Sequence, residues 1–331
     1  MEELLVEFLG GTSGWILFGV IAVAFFALAK GADLLVDEAV ALSVKWHVPK
    51  AVIGATVVSL GTTMPEAVVS VLAALKGNAE LALGNAVGSI ICDTGLVLGV
   101  AILISPMPIN RKIVNRQGWL QLSAGILLVV TCLPFGRLPQ LMGILFLILL
   151  VVYIYFSVRW SREGQGLPEP IDDHDANKNS LLVFSKLVFG IAIVVLSSWI
   201  AIPAVKEAAI RLHVPPGIIA ATLVAFGTSL PELVTAVTSA LKGHGEVGLG
   251  NVIGADILNV LFVAGAAAAV TQGGLIAPAH FFQLLFPAML FVLIVFRIGL
   301  AASKDTMKKS FGVILLAAYV LVTVISYRAY S

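Results

Sequence analysis

Two short segments hold the residues best suited to chemistry. One reads Gly61-Thr62-Thr63-Met64-Pro65-Glu66 and the other Gly227-Thr228-Ser229-Leu230-Pro231-Glu232, each inside a long apolar run. A carboxylate at the centre of an apolar membrane helix costs about 2.5–3.5 kcal/mol even on the lenient insertion scale. Two of them at matched positions point to function. Each proline lacks an N–H and clashes with the carbonyl four residues earlier, which belongs to Gly61 in one copy and Gly227 in the other. The helix is expected to break there and release backbone oxygens. Thr62 and Glu66 are four apart and Thr63 and Glu66 three apart, so hydroxyls and carboxylate share a helix face. Carboxylate, hydroxyl and freed carbonyl form a set of hard oxygen donors, suited to Ca²⁺ or Na⁺ rather than to soft metals.

The segments that follow add a second layer. Asn85, Ser89 and Asp93 are spaced by four and form one polar stripe; Asn251, Ala255 and Asn259 occupy the matching stripe. Gly84 with Gly88, and Gly250 with Gly254, are small-xxx-small pairs that permit close helix approach. Asp256 aligns with Ile90, so the duplication does not account for it. It lies about 60° around the helix from Asn259. Two readings stand open: an extra carboxylate or proton carrier in the same cavity, or a group facing another helix. Lys30 and Lys206 are read as snorkelling to an interface. Asp33, Asp37, Glu38 and Glu207 are read as lying near helix ends in contact with water. Cys92 and Cys132 read as buried free thiols, with neither a disulfide framework nor a zinc site.

A scaffold for these groups has to come from the rest of the chain. Of 331 residues, 59% are hydrophobic and 12% charged, against about 25% charged in soluble domains. Mean hydropathy is +1.04. The bilayer is therefore the solvent, which excludes a water-soluble enzyme. A net charge of +1 excludes a nucleic-acid binder. Continuous apolar runs argue against a transmembrane β-barrel, whose strands alternate. A spanning helix needs about 20 apolar residues, and ten such segments are read at 14–43, 51–75, 81–105, 117–134, 139–158, 181–211, 216–241, 247–271, 279–299 and 309–328. The first and sixth are long and polar for one straight crossing and are expected to tilt, or to finish in the interface. Met1-Glu2-Glu3 lacks the positive start of a cleaved signal, so the first helix is expected to stay.

A polar stretch with Asp172-Asp173-His174-Asp175 reads as a linker and divides the chain into 1–160, a cytoplasmic linker 161–180, and 181–331, with five segments on each side. Residues 53–99 and 219–265 align without a gap at a constant offset of 166, with 22 identities. His47-Val48-Pro49 recurs as His213-Val214-Pro215. The halves are copies of one unit, and because five is odd the second must enter the membrane from the opposite side. The fold expected is all-α and polytopic, ten transmembrane helices in two inverted-topology repeats. In such folds the site lies near the midplane, where the repeats meet. With both termini outside, inner loops hold 13 Lys and Arg, whereas Lys76, Arg137, Arg211 and Arg328 make 4 outside. The positive-inside rule thus places both termini extracytoplasmic.

Gly-Thr-(Thr/Ser)-x-Pro-Glu followed by Gly-Asn-x-(Val/Ile)-Gly, present in both halves, resembles the α-repeats of the cation/Ca²⁺ exchanger superfamily, most of all its prokaryotic sodium/calcium exchangers. The resemblance covers essentially the whole chain. It implies four ion sites at the midplane between helices two, three, seven and eight. It implies that Glu66 and Glu232 hold Ca²⁺ and share in Na⁺ sites, with hydroxyl ligands Thr62, Thr63, Thr228, Ser229 and Ser89 and backbone carbonyls at Ser59 and Ala225. It further implies that helices one and six slide across the core to alternate access. The chain departs from the archaeal pattern in three ways. Asp93 and Asn259 exchange the usual Asn and Asp, Ala255 stands where Ser is usual, and Asp256 where Asn is usual.

The resulting expectation is a secondary antiporter of the cell membrane exchanging Ca²⁺ for Na⁺, with inorganic cations and lipid as its partners. Neither a cofactor nor an obligatory protein partner is expected. Asp93 and Asn259 would complete a site beside the Ca²⁺. Two or three carboxylates cannot balance Ca²⁺ and several Na⁺ together, which favours exchange over co-transport. The rivals are H⁺ coupling through Asp93 or Asp256, transport of Mg²⁺ or Mn²⁺, and a cation channel. A channel usually builds its ring of oxygens from several subunits, whereas one chain here carries both halves. An intramembrane hydrolase is weaker: the chain has no His-Glu-x-x-His and no Gly-x-Ser-x-Gly.

Overall fold

The computed structural model describes residues 9–163, 179–212 and 225–330. The second His-Val-Pro triplet, at 213–215, and the acidic stretch 172–175 lie outside the described residues. The described residues are mainly helical: α1 (Gly14–Trp46), α2 (Lys50–Thr62), α3 (Met64–Leu75), α4 (Ala79–Ile104), α5 (Arg111–Cys132), α6 (Gln140–Glu163) and α7 (Ser180–Arg211). Then follow α8 (Ala225–Thr228), α9 (Leu230–Leu241), α10 (Gly245–Val270), α11 (Phe281–Ala302) and α12 (Lys309–Tyr330).

Four two-residue strands tie the helix ends together. β1 (Met107–Pro108) pairs antiparallel with β4 (Thr306–Met307), and β2 (Arg137–Leu138) with β3 (Leu275–Ile276). β1 precedes α5 and β2 follows it, so the two ribbons lie at opposite ends of that helix.

Among the described residues seven helices are long and apolar enough to cross a membrane, or eight if the bent pair α2 and α3 counts as one. Two of the ten expected segments fall short for visible reasons. α5 carries Arg111, Lys112 and Arg116 at its start, and its Gln117 and Gln121 are buried against the core. α9 is a 12-residue apolar helix, and the start of the expected 216–241 span lies outside the described residues. The expected long first and sixth segments are continuous helices of 33 and 32 residues. At about 1.5 Å per residue each exceeds a hydrocarbon core of about 30 Å.

Burial orders the helices from the inside out. In the most apolar windows of α4 and α10, 72% and 83% of residues are buried, against 28% in α1, α6 and α12. Trp15, Phe18, Val23 and Phe26 on α1 face outward and are exposed, as expected where acyl chains rather than protein cover the surface. Small residues let the central helices touch. A Cβ on Gly254 would stand 2.6 Å from Ser59 Oγ, and one on Gly54 or Gly250 would strike the facing backbone of α10 or α2. Gly250 and Gly254 therefore do what their spacing predicts. A Cβ on Gly88 meets nothing within 4 Å among the described residues.

One expectation about charge is overturned. Glu38 is not at a wet helix end: it is buried, 3.7 Å from Lys186 on α7. α1 and α7 pack along their length, so the acid falls in the seam between them. Asp33 and Asp37 are partly exposed and meet Lys242 at 3.6 and 2.7 Å, while Glu207 pairs with Arg211 at 2.8 Å.

Candidate cation-binding site

The two proline-glutamate segments break as their sequences demand. The axes of α2 and α3 differ by 44°. Thr63, at the break, has φ −84° and ψ 0°; its counterpart Ser229, between α8 and α9, has φ −82° and ψ 8°. Pro65 and Pro231 open the new helices, where a missing N–H costs nothing. Glu66 and Glu232 thus fall in the first turns of α3 and α9, where the positive end of the helix dipole favours an ionised carboxylate. Ser59 and Ala225 each head the short helical turn before the break. The Ser59 carbonyl accepts from Thr63 N–H at 2.9 Å and from Thr62 Oγ1 at 3.4 Å.

Hydrogen bonds stitch the halves together here. Thr63 Oγ1 donates to Glu232 Oε1 at 3.2 Å. Thr62 Oγ1 donates to Asn251 Oδ1 at 3.2 Å, and its counterpart Thr228 Oγ1 donates to Asn85 Oδ1 at 3.4 Å. Each half thus gives the other the same bond, as a two-fold arrangement requires. Ser89 and Thr228 share a bond of 3.3 Å. Asn85 Nδ2 donates to the Glu66 carbonyl at 3.3 Å and to Ser70 Oγ at 3.0 Å. The structure therefore assembles Thr62, Thr63, Ser89, Thr228 and Glu232 across the boundary between the halves. It joins to them Asn85 and Asn251, which the sequence placed in the second-layer stripes, and Ser70, which the sequence reading did not name. The signal for the two asparagines was present in the repeated Gly-Asn.

What remains is a concentration of unpartnered polar atoms. Among the described residues, both carboxylate oxygens of Glu66 and of Asp93, Glu232 Oε2, Ser229 Oγ, Asn251 Nδ2, Asp256 Oδ1 and both amide atoms of Asn259 are buried with no hydrogen-bond partner. Interiors leave few such groups, and each costs about 1–3 kcal/mol. Glu66, Asp93, Glu232 and Asn259 are fully buried. Carboxylates buried in one cluster repel one another when ionised. Cations entering this cluster would satisfy the oxygens and relieve the repulsion. Among the described residues no three His, Cys, Asp or Glu side chains converge as ligands of a resident metal do, so the donor set is mixed.

Asp256 meets other helices through one of its two oxygens. It is buried, and its Oδ2 accepts from Thr94 Oγ1 on α4 and Gln121 Nε2 on α5. Wide π-type turns begin at Asp93 and at Asn259, matched between the halves. Such bulges redirect side chains and release carbonyls, often at functional sites. The pattern of residue types gave no sign of them. A third π-type turn covers Gly54–Val58, where the Ala55 carbonyl accepts from Tyr153 Oη at 3.0 Å.

Comparison with known proteins agrees with this geometry. The sodium/calcium exchanger protein family matches residues 16–159 and 182–328. Inner membrane protein YrbG of Escherichia coli is 30% identical over 305 residues, covering 90% of this chain and 93% of that protein. Sodium/calcium exchanger MaX1 of Methanosarcina acetivorans is 29% identical over 346 residues, covering 93% and 97%. A structure of the sodium-calcium exchanger NCX_Mj soaked with Na⁺ and Sr²⁺ matches with a TM-score of 0.79 at 26% identity, covering 93% of this chain and 98% of that one. With both halves matched and a proline-broken, acid-bearing segment in each, this multi-pass membrane protein belongs to the sodium/calcium exchanger family.

Proposed function

We propose that the chain is a secondary antiporter exchanging Ca²⁺ for Na⁺ across the cytoplasmic membrane by alternating access. The observation that carries this reading is the set of oxygens buried without a partner among the described residues on Glu66 and Glu232, at a boundary of the halves that the Thr63–Glu232 and Thr62–Asn251 bonds cross. Glu66 and Glu232 bridge the Ca²⁺. Thr62, Thr63, Thr228, Ser229 and Ser89 and the carbonyls of Ser59 and Ala225 complete the coordination, and Asp93 and Asn259 form a neighbouring site. Two ions compete because the same carboxylates serve both. The names of MaX1 and NCX_Mj, both sodium/calcium exchangers, support the choice of ions.

The architecture proposed is ten crossings in two inverted repeats, 1–160 and 181–331, joined by a cytoplasmic linker at 161–180, with both termini extracytoplasmic. The ribbons support it. β1 and β3 follow corresponding helices of the two halves, yet β1 pairs with β4 and β3 with β2 at the other end of α5. Equivalent loops on opposite faces are what inversion produces. α1 and α7 are the moving pair. Gly31 and Gly190 let them pack closely together, and Gly61 and Gly227 let α7 lie against the bent segments through Ile191 and Ile202.

The test is ⁴⁵Ca²⁺ uptake into proteoliposomes, driven by an outward Na⁺ gradient and then by an outward H⁺ gradient. Uptake with Na⁺ is expected. Uptake with H⁺ alone would make the proton the coupling ion. Uptake with neither, or flux at single-channel rates, would overturn the antiporter.

A further inference from the structure

Asp256 breaks the internal duplication, and so do its surroundings. Its counterpart is Ile90, the counterpart of Thr94 is Val260, and that of Asp93 is Asn259. These departures meet at one place. Thr94 and Gln121 both bond Asp256 Oδ2, and Asp93, itself fully buried, directly precedes Thr94 in the chain. Gln121 Nε2 also donates to Thr94 Oγ1 at 3.1 Å, so the two anchors brace each other. A carboxylate that is only a structural acceptor has its oxygens satisfied. Asp256 instead has one oxygen pinned and the other, Oδ1, buried with no partner among the described residues. Both oxygens of Asp93 and the side-chain amide of Asn259, one turn along α10, are likewise unpartnered and fully buried.

We infer that Asp256 is the anchored ligand of a separate monovalent-cation position, shared with Asp93 and lying on the α5 side of the Glu66–Glu232 pair. This rests on the reading of the chain as a cation exchanger and assigns a role to the carboxylate which that reading leaves over. A pinned carboxylate offers one oxygen in a fixed direction, as hydrogen-bonded metal ligands generally do. Ca²⁺ seeks about 6–8 oxygens, more than remain unpartnered here, so a singly charged ion fits better. Four buried carboxylates in place of two or three also change the charge balance: Ca²⁺ between the glutamates leaves the charges of Asp93 and Asp256 for a monovalent ion bound beside it.

The experiment is equilibrium binding of ²²Na⁺ to purified, monodisperse protein, without a gradient and without Ca²⁺. The number of Na⁺ bound per protein at saturation is expected to fall by one in Asp256→Asn. Thr94→Val removes an anchor and keeps the carboxylate, so it is expected to keep the number and to raise the Na⁺ Kd about tenfold. Lys30→Gln, on the exposed side of α1, is the control. The same number and the same Kd in Asp256→Asn as in the unaltered protein would overturn the proposal. Should that variant fail to remain monodisperse, an unchanged Kd in Thr94→Val would overturn it. No Ca²⁺ flux enters the measurement, so equal binding leaves Na⁺/Ca²⁺ exchange standing, and failed exchange leaves the Na⁺ number readable.

Discussion

Glu66 and Glu232 are costly to bury, and their helices lower that cost only in part, through the first-turn dipole and the Thr63 hydroxyl on Glu232. A cation bound between them would supply the rest. A unit charge about 4 Å away is worth about 4 kcal/mol at an effective dielectric of about 20. Glu66→Gln and Glu232→Gln are each expected to cut ⁴⁵Ca²⁺ transport at least about 100-fold in folded, reconstituted protein; near-normal rates would remove them from the Ca²⁺ site. The reciprocal bonds Thr62–Asn251 and Thr228–Asn85 give a gentler test. A side-chain hydrogen bond nets about 1 kcal/mol, so Thr62→Val and Thr228→Val should each weaken apparent Ca²⁺ affinity about fivefold, and by similar amounts. At this scale most of the donor set was legible, because Thr-Thr-x-Pro-Glu is a local signal. Asp256 was legible as an oddity only; its partners Thr94 and Gln121 come from 162 and 135 residues away.

The elements obey rules of different reach. Proline opens α3 and α9 wherever they pack, so both breaks followed from sequence. The π-type turns at Asp93 and Asn259 depend on what the helices meet and left no trace in the residue types. α5 shows the same limit: Gln117 and Gln121 look like surface residues, yet Gln117 donates to Ser157 and accepts from Tyr153, and Gln121 holds Asp256. Close approach of α10 to α2 is the element most open to challenge. Gly254→Ala places a methyl 2.6 Å from Ser59 Oγ, and overpacking costs about 1–3 kcal/mol. The Tm in detergent is expected to fall by several degrees, whereas Gly19→Ala, with nothing within 4 Å among the described residues, should leave it unchanged.

For the whole molecule the question is which bodies move. If α1 and α7 slide as a pair, locking them to each other is harmless and locking them to the core is not. A Cβ on Gly31 stands 3.0 Å from Ile193 Cβ, near the roughly 3.8 Å between Cβ atoms of a disulfide, and one on Gly61 stands 2.7 and 3.0 Å from Cγ2 and Cγ1 of Ile191, the atoms next to its Cβ. Oxidised Gly61→Cys with Ile191→Cys is expected to stop exchange, and reduction to restore it. Oxidised Gly31→Cys with Ile193→Cys is expected to keep exchanging. Full activity in the first oxidised pair would sink the sliding mechanism.

The sequence by itself determined the solvent, the duplicated unit, the two helix breaks and the hard-oxygen chemistry. Each of these follows from hydropathy, from spacing along one helix or from a missing N–H, all short-range properties. The tertiary structure decided which copy's hydroxyl meets the other copy's acid, that Glu38 lies in a seam rather than in water, and that Asp256 is pinned from α4 and α5. Those facts depend on helices distant in the chain coming within hydrogen-bond reach, and the spacing within a single segment carries no information about that.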